Sequence, residues 1–399
     1  MKILLLTNEY PPNTYGGAGV HVEYLSRALA CLCSVDVRCF GEQAVDLPNL
    51  TVKGFPNDPN YPAPKELARV FDSIQRCLNF NTSGINTDIV HVHTWYTHLG
   101  GIIAKLNYGT PLVLTVHSLE PLRPWKKEQL GGGYDFSCWV EKTAIELADA
   151  VIAVSQDTKD DILRHFNIAS DKITVIPNGI DPQEYQPVHE PERLARFGID
   201  PNKPYVLFVG RITRQKGIIH LVRAIKHLRP DLQVVLCASS PDTPAIAKEM
   251  EDQFNEARAK HTGVIWIAEM VDLPTKRALY SHAAIFCCPS VYEPFGIINL
   301  EAMACKTPVV ATAVGGIKEA VADGITGILV PVRLKDGILS EPVDPEQFSK
   351  DLAEQINFLM DNDDLRQQMG EAGRHRACEL FSWDNVARRT LKLYKTLRP

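Results

Sequence analysis

The sequence predicts an α/β protein made of two Rossmann-like domains, each built on a parallel sheet. Three observations carry this reading. A chain of 399 residues exceeds one typical core. Short apolar runs alternate with longer segments of helical period, the signature of parallel α/β architecture. The alternation pauses once, at NGIDPQEYQPVHEP over residues 178–191, and then resumes.

Taken in order, KILLLT, SVDVRCF, DIVHVH, PLVLTVH, AVIAVS and KITVIP read as the strands of the first half. PYVLFVG, LQVVLCA, GVIWIA, AIFCCPS, TPVVAT and GILVP read as those of the second. The Pro- and Asn-rich pause places the boundary near residue 183, giving an N-terminal domain over 1–183 and a C-terminal domain over 184–380. The remaining residues, 381–399, read as a helix whose packing partner periodicity does not reveal. Helices are expected over 18–32, after the first strand, and over 295–305. Both halves open with a strand, a glycine-bearing loop and a helix. Facing domains of this kind would aim both loops at one central cleft, because ligands sit beyond the carboxyl ends of parallel strands.

Composition narrows the function. Hydrophobic residues make up 45% and charged residues 23%, ordinary for a globular chain. Formal net charge is −6, with no long run of one sign, so neither nucleic acid nor an anionic membrane is an expected partner. The apolar run at the N-terminus is too short for a signal peptide, and no stretch reaches the roughly 18 apolar residues of a membrane span. Ten cysteines without zinc-like pairs fit reduced thiols, and the expected location is cytoplasmic.

The stretch SVYEPFGIINLEAMACKTPVV, residues 290–310, sets Glu293 and Glu301 eight positions apart among apolar residues. A carboxylate so placed needs a partner from the protein or from a ligand. The loop GRITRQKG brings Arg211, Arg214 and Lys216 to a strand-to-helix junction, where cations and helix amides favour an anion such as a diphosphate; a solvated basic loop is the plain alternative. Gly16 and Gly17 allow backbone to approach a ligand, although a tight turn needs glycine too. His117 ends a strand and so borders the expected cleft. In HVH, His91 and His93 are read as pointing to opposite faces, hence as poor joint metal ligands.

Together YGGAG, GRITRQKG and the spaced glutamates of EPFGIINLE resemble the retaining GT-B glycosyltransferases of family four, over nearly the whole chain. DIVHVHTWYTHLGG and the segment from TVHSLEPLRPWKKEQLGGGYDF to AVIAVS are similar to its bacterial glycogen synthase and maltose 1-phosphate synthase branch. Family-five glycogen synthases carry KTGGL in the first loop. Here Thr14 stands in place of that lysine, so the lysine's role does not carry over.

The resemblance implies ADP-glucose as donor, transfer with retention of the α configuration, and no metal or other cofactor. It implies that Glu301 receives ribose hydroxyls and Glu293 holds the donor glucose. The amides of Phe295, Gly296 and Ile297 would approach its hydroxyls, while Arg211 and Lys216 grip the diphosphate. Gly17 would add a backbone donor, and His117 would meet the glucose. The first-choice acceptor is the non-reducing end of an α-1,4-glucan, with Trp95, Tyr96, Trp125 and Tyr134 as surfaces for sugar stacking. The runner-up is glucose 1-phosphate, near Arg123, Lys126 and Lys127. A sugar-nucleotide epimerase and a noncatalytic nucleotide-sugar-binding protein are the alternatives from other classes. A retaining glycosidase also uses two carboxylates. The cationic loop disfavours it, because a diphosphate leaves without protonation by a carboxylic acid.

Overall fold

A computed structural model describes residues 1–14, 16–60, 62–239, 241–335 and 341–397. The chain divides into two compact units, Met1–Gly179 joined by the segment from Trp383 onward, and Ile180–Ser382. The division thus falls just before residue 183, and the last helix, Trp383–Thr396, belongs to the first unit.

The first unit is an eight-stranded sheet: β1 (Lys2–Thr7), β2 (Ser34–Phe40), β3 (Ala44–Leu47), β4 (Leu50–Phe55), β5 (Ile89–His93), β6 (Leu112–Val116), β7 (Ala150–Ala153) and β8 (Ile173–Val175). Its spatial order is β3-β4-β2-β1-β5-β6-β7-β8, parallel except where β3 meets β4. Strands β1, β5 and β6 are buried along almost their whole length, which is why they read as continuous apolar runs. The sequence reading missed β3 and β4. Strand β3 is a mostly exposed edge strand with no apolar face to betray it.

The second unit has six parallel strands, β9 (Tyr205–Arg211), β10 (Gln233–Ser239), β11 (Val264–Ile267), β12 (Ile285–Cys288), β13 (Val309–Thr312) and β14 (Gly327–Val330). They lie in the order β11-β10-β9-β12-β13-β14. Several of its helices start at side-chain caps, including Thr243 on Ile246, Asp272 on Thr275 and Asp344 on Gln347.

Each sheet has one place where the strand order reverses direction, between β1 and β5 in the first unit and between β9 and β12 in the second. Loops leaving the carboxyl ends there diverge to opposite faces and open a crevice for ligands. The expected helices shorten slightly, to Gly17–Ala30 and Ile297–Ala304. The second starts late because Gly296 takes a left-handed φ of 85°, where a β-carbon would also meet Asn299 Nδ2 at 2.6 Å.

Candidate functional site

In the second unit the loops after β9 and β12 lie side by side at the switch point. A backbone hydrogen bond from Val291 to the Gln215 carbonyl ties them at 3.0 Å. Gly217 completes the fit: its φ is 61°, and a β-carbon there would sit 2.0 Å from the Pro289 carbonyl oxygen. This packing brings Lys216 Nζ to 2.5 Å from Glu293 Oε2, with Ser290 Oγ donating to the same oxygen at 3.4 Å. Burial pulls the Lys216 ammonium down, but the adjacent Glu293 carboxylate outweighs it and holds the pKa above the usual lysine value. The cation therefore stays charged in a largely apolar setting.

The other loop cations are also paired with carboxylates. Arg211, 52% exposed at its side chain, reaches Asp242 Oδ1 at 2.5 Å, and Arg214 meets Glu341 at 3.5 Å. Phe295 is buried against Phe381, with ring centroids 5.8 Å apart, and Gly296 and Ile297 follow it at the helix start.

Glu301 is 5% exposed, and three protein side chains reach its carboxylate. Tyr185 donates to Oε1 at 2.7 Å, Tyr280 to Oε2 at 2.8 Å, and Lys276 Nζ lies 3.0 Å from Oε1. Burial, then the Glu301 charge, raises the Tyr280 phenol well above its ordinary value, so it remains a donor. Of the carboxylate's roughly four acceptor directions, three are taken. None of these three partners was evident in the sequence. Tyr185 is 116 residues from Glu301, and the EPFG motif carries no sign of it.

In the first unit, Gly16 N donates to Glu9 Oε2 at 2.8 Å. Gly17 is exposed at the start of its helix, and Tyr15 lies outside the described residues. Beyond β5, Thr94 holds φ 65° and donates to Asn8 Oδ1 at 2.7 Å. A β-branched residue with positive φ is strained, and such strain concentrates at sites where geometry matters.

His91 and His93 do not point to opposite faces. Residues two apart on a strand share a face, and their rings lie 4.2 Å apart. His91 is engaged at both nitrogens, by Tyr394 at 2.6 Å and Thr115 at 2.7 Å. His93 Nδ1 lies 3.1 Å from His117 Nε2. His21, which the sequence reading passed over, joins them from the helix Gly17–Ala30, its ring 4.7 Å from that of His117. Burial lowers the pKa of all three, His21 to about 4 despite its hydrogen bond to Asn178. Neighbouring histidines lower His93 and His117 further.

Burial likewise lowers His98 to about 3 and His220 to about 4. These groups stay neutral in the fold while an unfolded chain takes up protons below about pH 6.5. Stability is therefore fully present above that pH and falls as pH drops towards 4. A lower urea midpoint at pH 5 than at pH 7 is expected, and equal midpoints would contradict the neutral assignment.

Among the acceptor candidates, Trp95 is 2% exposed and stacks on Tyr96 at 4.0 Å, which makes it core and removes it as a sugar platform. Tyr96 is half-buried under that stack. Trp125 is half-buried in the segment after β6. Tyr134 donates its hydroxyl to the Glu120 carbonyl at 2.8 Å. Lys126 is not a free surface cation. It is drawn inward to Glu120 Oε1 at 2.7 Å, and Arg123 stands 3.9 Å from the same oxygen while donating to Ser118 at 3.1 Å. Glu141, whose carboxylate accepts from the Glu120 amide, is raised well above the carboxylate range by burial and then by Glu120. All ten cysteines are free, and among the described residues no helix is long and apolar enough to cross a membrane.

Two parallel-sheet units with loops gathered at their switch points define a GT-B glycosyltransferase, and the chain belongs to glycosyltransferase group 1 and family 4. Residues 190–376 match the family described as "Glycosyl transferases group 1", and residues 15–184 match "Glycosyltransferase Family 4". The chain is 47% identical to the alpha-maltose-1-phosphate synthase of Mycolicibacterium smegmatis, covering 99% of both chains. It is 45% identical to the protein of the same name from Mycobacterium tuberculosis, again over 99% of both. Among solved structures it is similar to sucrose-phosphate synthase from Thermosynechococcus elongatus, with TM-score 0.80 and 25% identity over 100% of this chain and 99% of that one.

Proposed function

We propose that the protein is an α-maltose-1-phosphate synthase, a retaining glucosyltransferase that moves glucose from ADP-glucose to glucose 1-phosphate. The observation that carries this reading is the similarity, at 47% and 45% identity over almost the full length, to two relatives of that name. It moves the weight from the α-glucan, the first choice from sequence, to the phosphorylated acceptor.

In this reading the second unit takes the nucleotide sugar. Arg211 and Lys216 exchange their carboxylate partners for the diphosphate, and Glu293, with the amides of Phe295, Gly296 and Ile297, receives the glucose hydroxyls. Glu301 keeps its protein partners and offers its remaining acceptor direction to the ribose. In the first unit, Gly17 supplies a backbone donor and His117 hydrogen-bonds the transferred sugar. The bond from the anomeric carbon to the diphosphate breaks as the acceptor hydroxyl forms the new glycosidic bond on the same face. The departing diphosphate oxygen takes the hydroxyl proton. Positioning and charge stabilisation account for the acceleration, and no step calls on a metal.

The test is a direct comparison of acceptors. Purified protein with ADP-glucose is offered glucose 1-phosphate or a short α-1,4-glucan, and products are separated and weighed by mass spectrometry. A disaccharide phosphate with ADP release is the expected result. Chain extension of the glucan with no disaccharide phosphate would restore the glycogen synthase reading. Turnover of ADP-glucose without either acceptor would favour an epimerase.

A further inference from the structure

Three histidines of the first unit converge from separate elements: His21 from the helix Gly17–Ala30, His93 from the end of β5 and His117 from just beyond β6. One nitrogen from each lies within 4.8 Å of the others. His21 and His93 are 2% and 0% exposed, so water does not readily compete for their rings.

The hydrogen bonding fixes what His21 can offer. Its Nδ1 lies 2.7 Å from Asn178 Oδ1. That amide oxygen only accepts, so Nδ1 carries the hydrogen and Nε2 carries a bare lone pair. This Nε2 is buried and has no hydrogen-bond partner. A buried nitrogen without a partner is costly and calls for an explanation. His93 Nδ1 and His117 Nε2 stand 3.1 Å apart. Two nitrogens sharing a tetrahedral zinc ion at 2.0–2.1 Å are about 3.3 Å apart, close to this separation. The Asn178 contact is itself what a metal-binding imidazole ordinarily has, an acceptor on the far N–H that sets the tautomer and the ring plane. Trp383 walls His21 on another side, its ring edge-on at 5.3 Å.

We propose that His21, His93 and His117 form a binding site for a divalent transition cation of the zinc class, with Asn178 orienting His21. Neutral imidazole suits such ions, whereas magnesium and calcium prefer oxygen ligands. The cation takes the lone pair of His21 Nε2, which no protein donor satisfies, and replaces the single hydrogen shared by His93 and His117. The site lies wholly within the first unit and takes His117 through Nε2, which leaves Nδ1 of that ring for the sugar contact proposed above.

The experiment uses the full chain, stripped with chelator, and titrates Zn²⁺ or Co²⁺ alone with no sugar or nucleotide present. Expected are one tightly bound ion per chain, a visible Co²⁺ spectrum of low-coordinate nitrogen ligation, and a rise in thermal midpoint on adding Zn²⁺ that EDTA reverses. Asn178→Ala should weaken binding by roughly 10- to 100-fold, and His21→Ala or His93→Ala should abolish the Co²⁺ spectrum. His375→Ala, at an exposed position, should leave both unchanged. The wild-type measurements need no variant to fold. Absence of a stoichiometric ion, or the same affinity in the His21 and His93 variants, would overturn the proposal.

Discussion

Lys216→Ala is expected to lower kcat by roughly 10²- to 10³-fold, about 3 to 4 kcal/mol, the usual loss when one preorganised contact to developing charge is removed. The reason lies in its surroundings. Lys216 Nζ is held 2.5 Å from Glu293 at the end of a loop that Gly217 locks against Pro289, and the Glu293 charge keeps it cationic despite burial. Under the proposed function, this cation passes from Glu293 to the diphosphate and then meets the negative charge that grows as the diphosphate departs. Arg211, half-exposed and paired with Asp242, is expected to show a loss of the same order when changed to alanine. One competing explanation is that Lys216→Ala merely leaves Glu293 buried without its partner. The thermal midpoint of the double variant Lys216→Ala/Glu293→Gln measures the cost of the stranded charge, because it removes that charge without restoring the cation. Its midpoint should recover towards wild type, and turnover is compared in Lys216→Ala alone, because Glu293 is itself proposed to hold the donor glucose. Near-normal turnover in both Lys216→Ala and Arg211→Ala would defeat the phosphate assignment.

Glu301→Ala is expected to be the most destabilising of the site substitutions, and this follows from the protein partners found for it. The change strands the hydroxyls of Tyr185 and Tyr280 and the ammonium of Lys276 around a buried void. Breaking one side of a buried ion pair costs about 3 to 5 kcal/mol. For a unit of this size that corresponds to a fall in thermal midpoint of roughly 6 to 20 °C. Glu301→Gln keeps much of the shape and some hydrogen bonding, so its midpoint should fall less. ADP affinity, measured by calorimetry below the melting range, should weaken in both variants if the remaining acceptor direction receives the ribose. A midpoint unchanged in Glu301→Ala would show that the three contacts contribute little. Unchanged ADP affinity in Glu301→Gln would reject the ribose role.

What the sequence determined by itself was local. Buried parallel strands announce themselves as apolar runs, and twelve of the fourteen strands described lie within such runs. The glutamate pair in EPFGIINLE and the cations of GRITRQKG were legible because each motif sits on one loop and one turn of helix, within the reach of a single reading window. Exposed β3 was not, since an edge strand with little buried surface leaves no period to find.

Tertiary structure alone decided the partners. Lys216 meets Glu293 across 77 residues, His21 meets Asn178 across 157 and His91 meets Tyr394 across 303. Periodicity says which face of an element a side chain occupies. It does not say which element lies opposite, and that depends on strand order, here β1 beside β5 and β9 beside β12. The same order buried Trp95 in the core and gave Glu301 its two tyrosines. The physical reason is common to both. A buried charge or ring must find its compensation within a few ångströms, and which residue stands there is set by the packing of distant strands and helices.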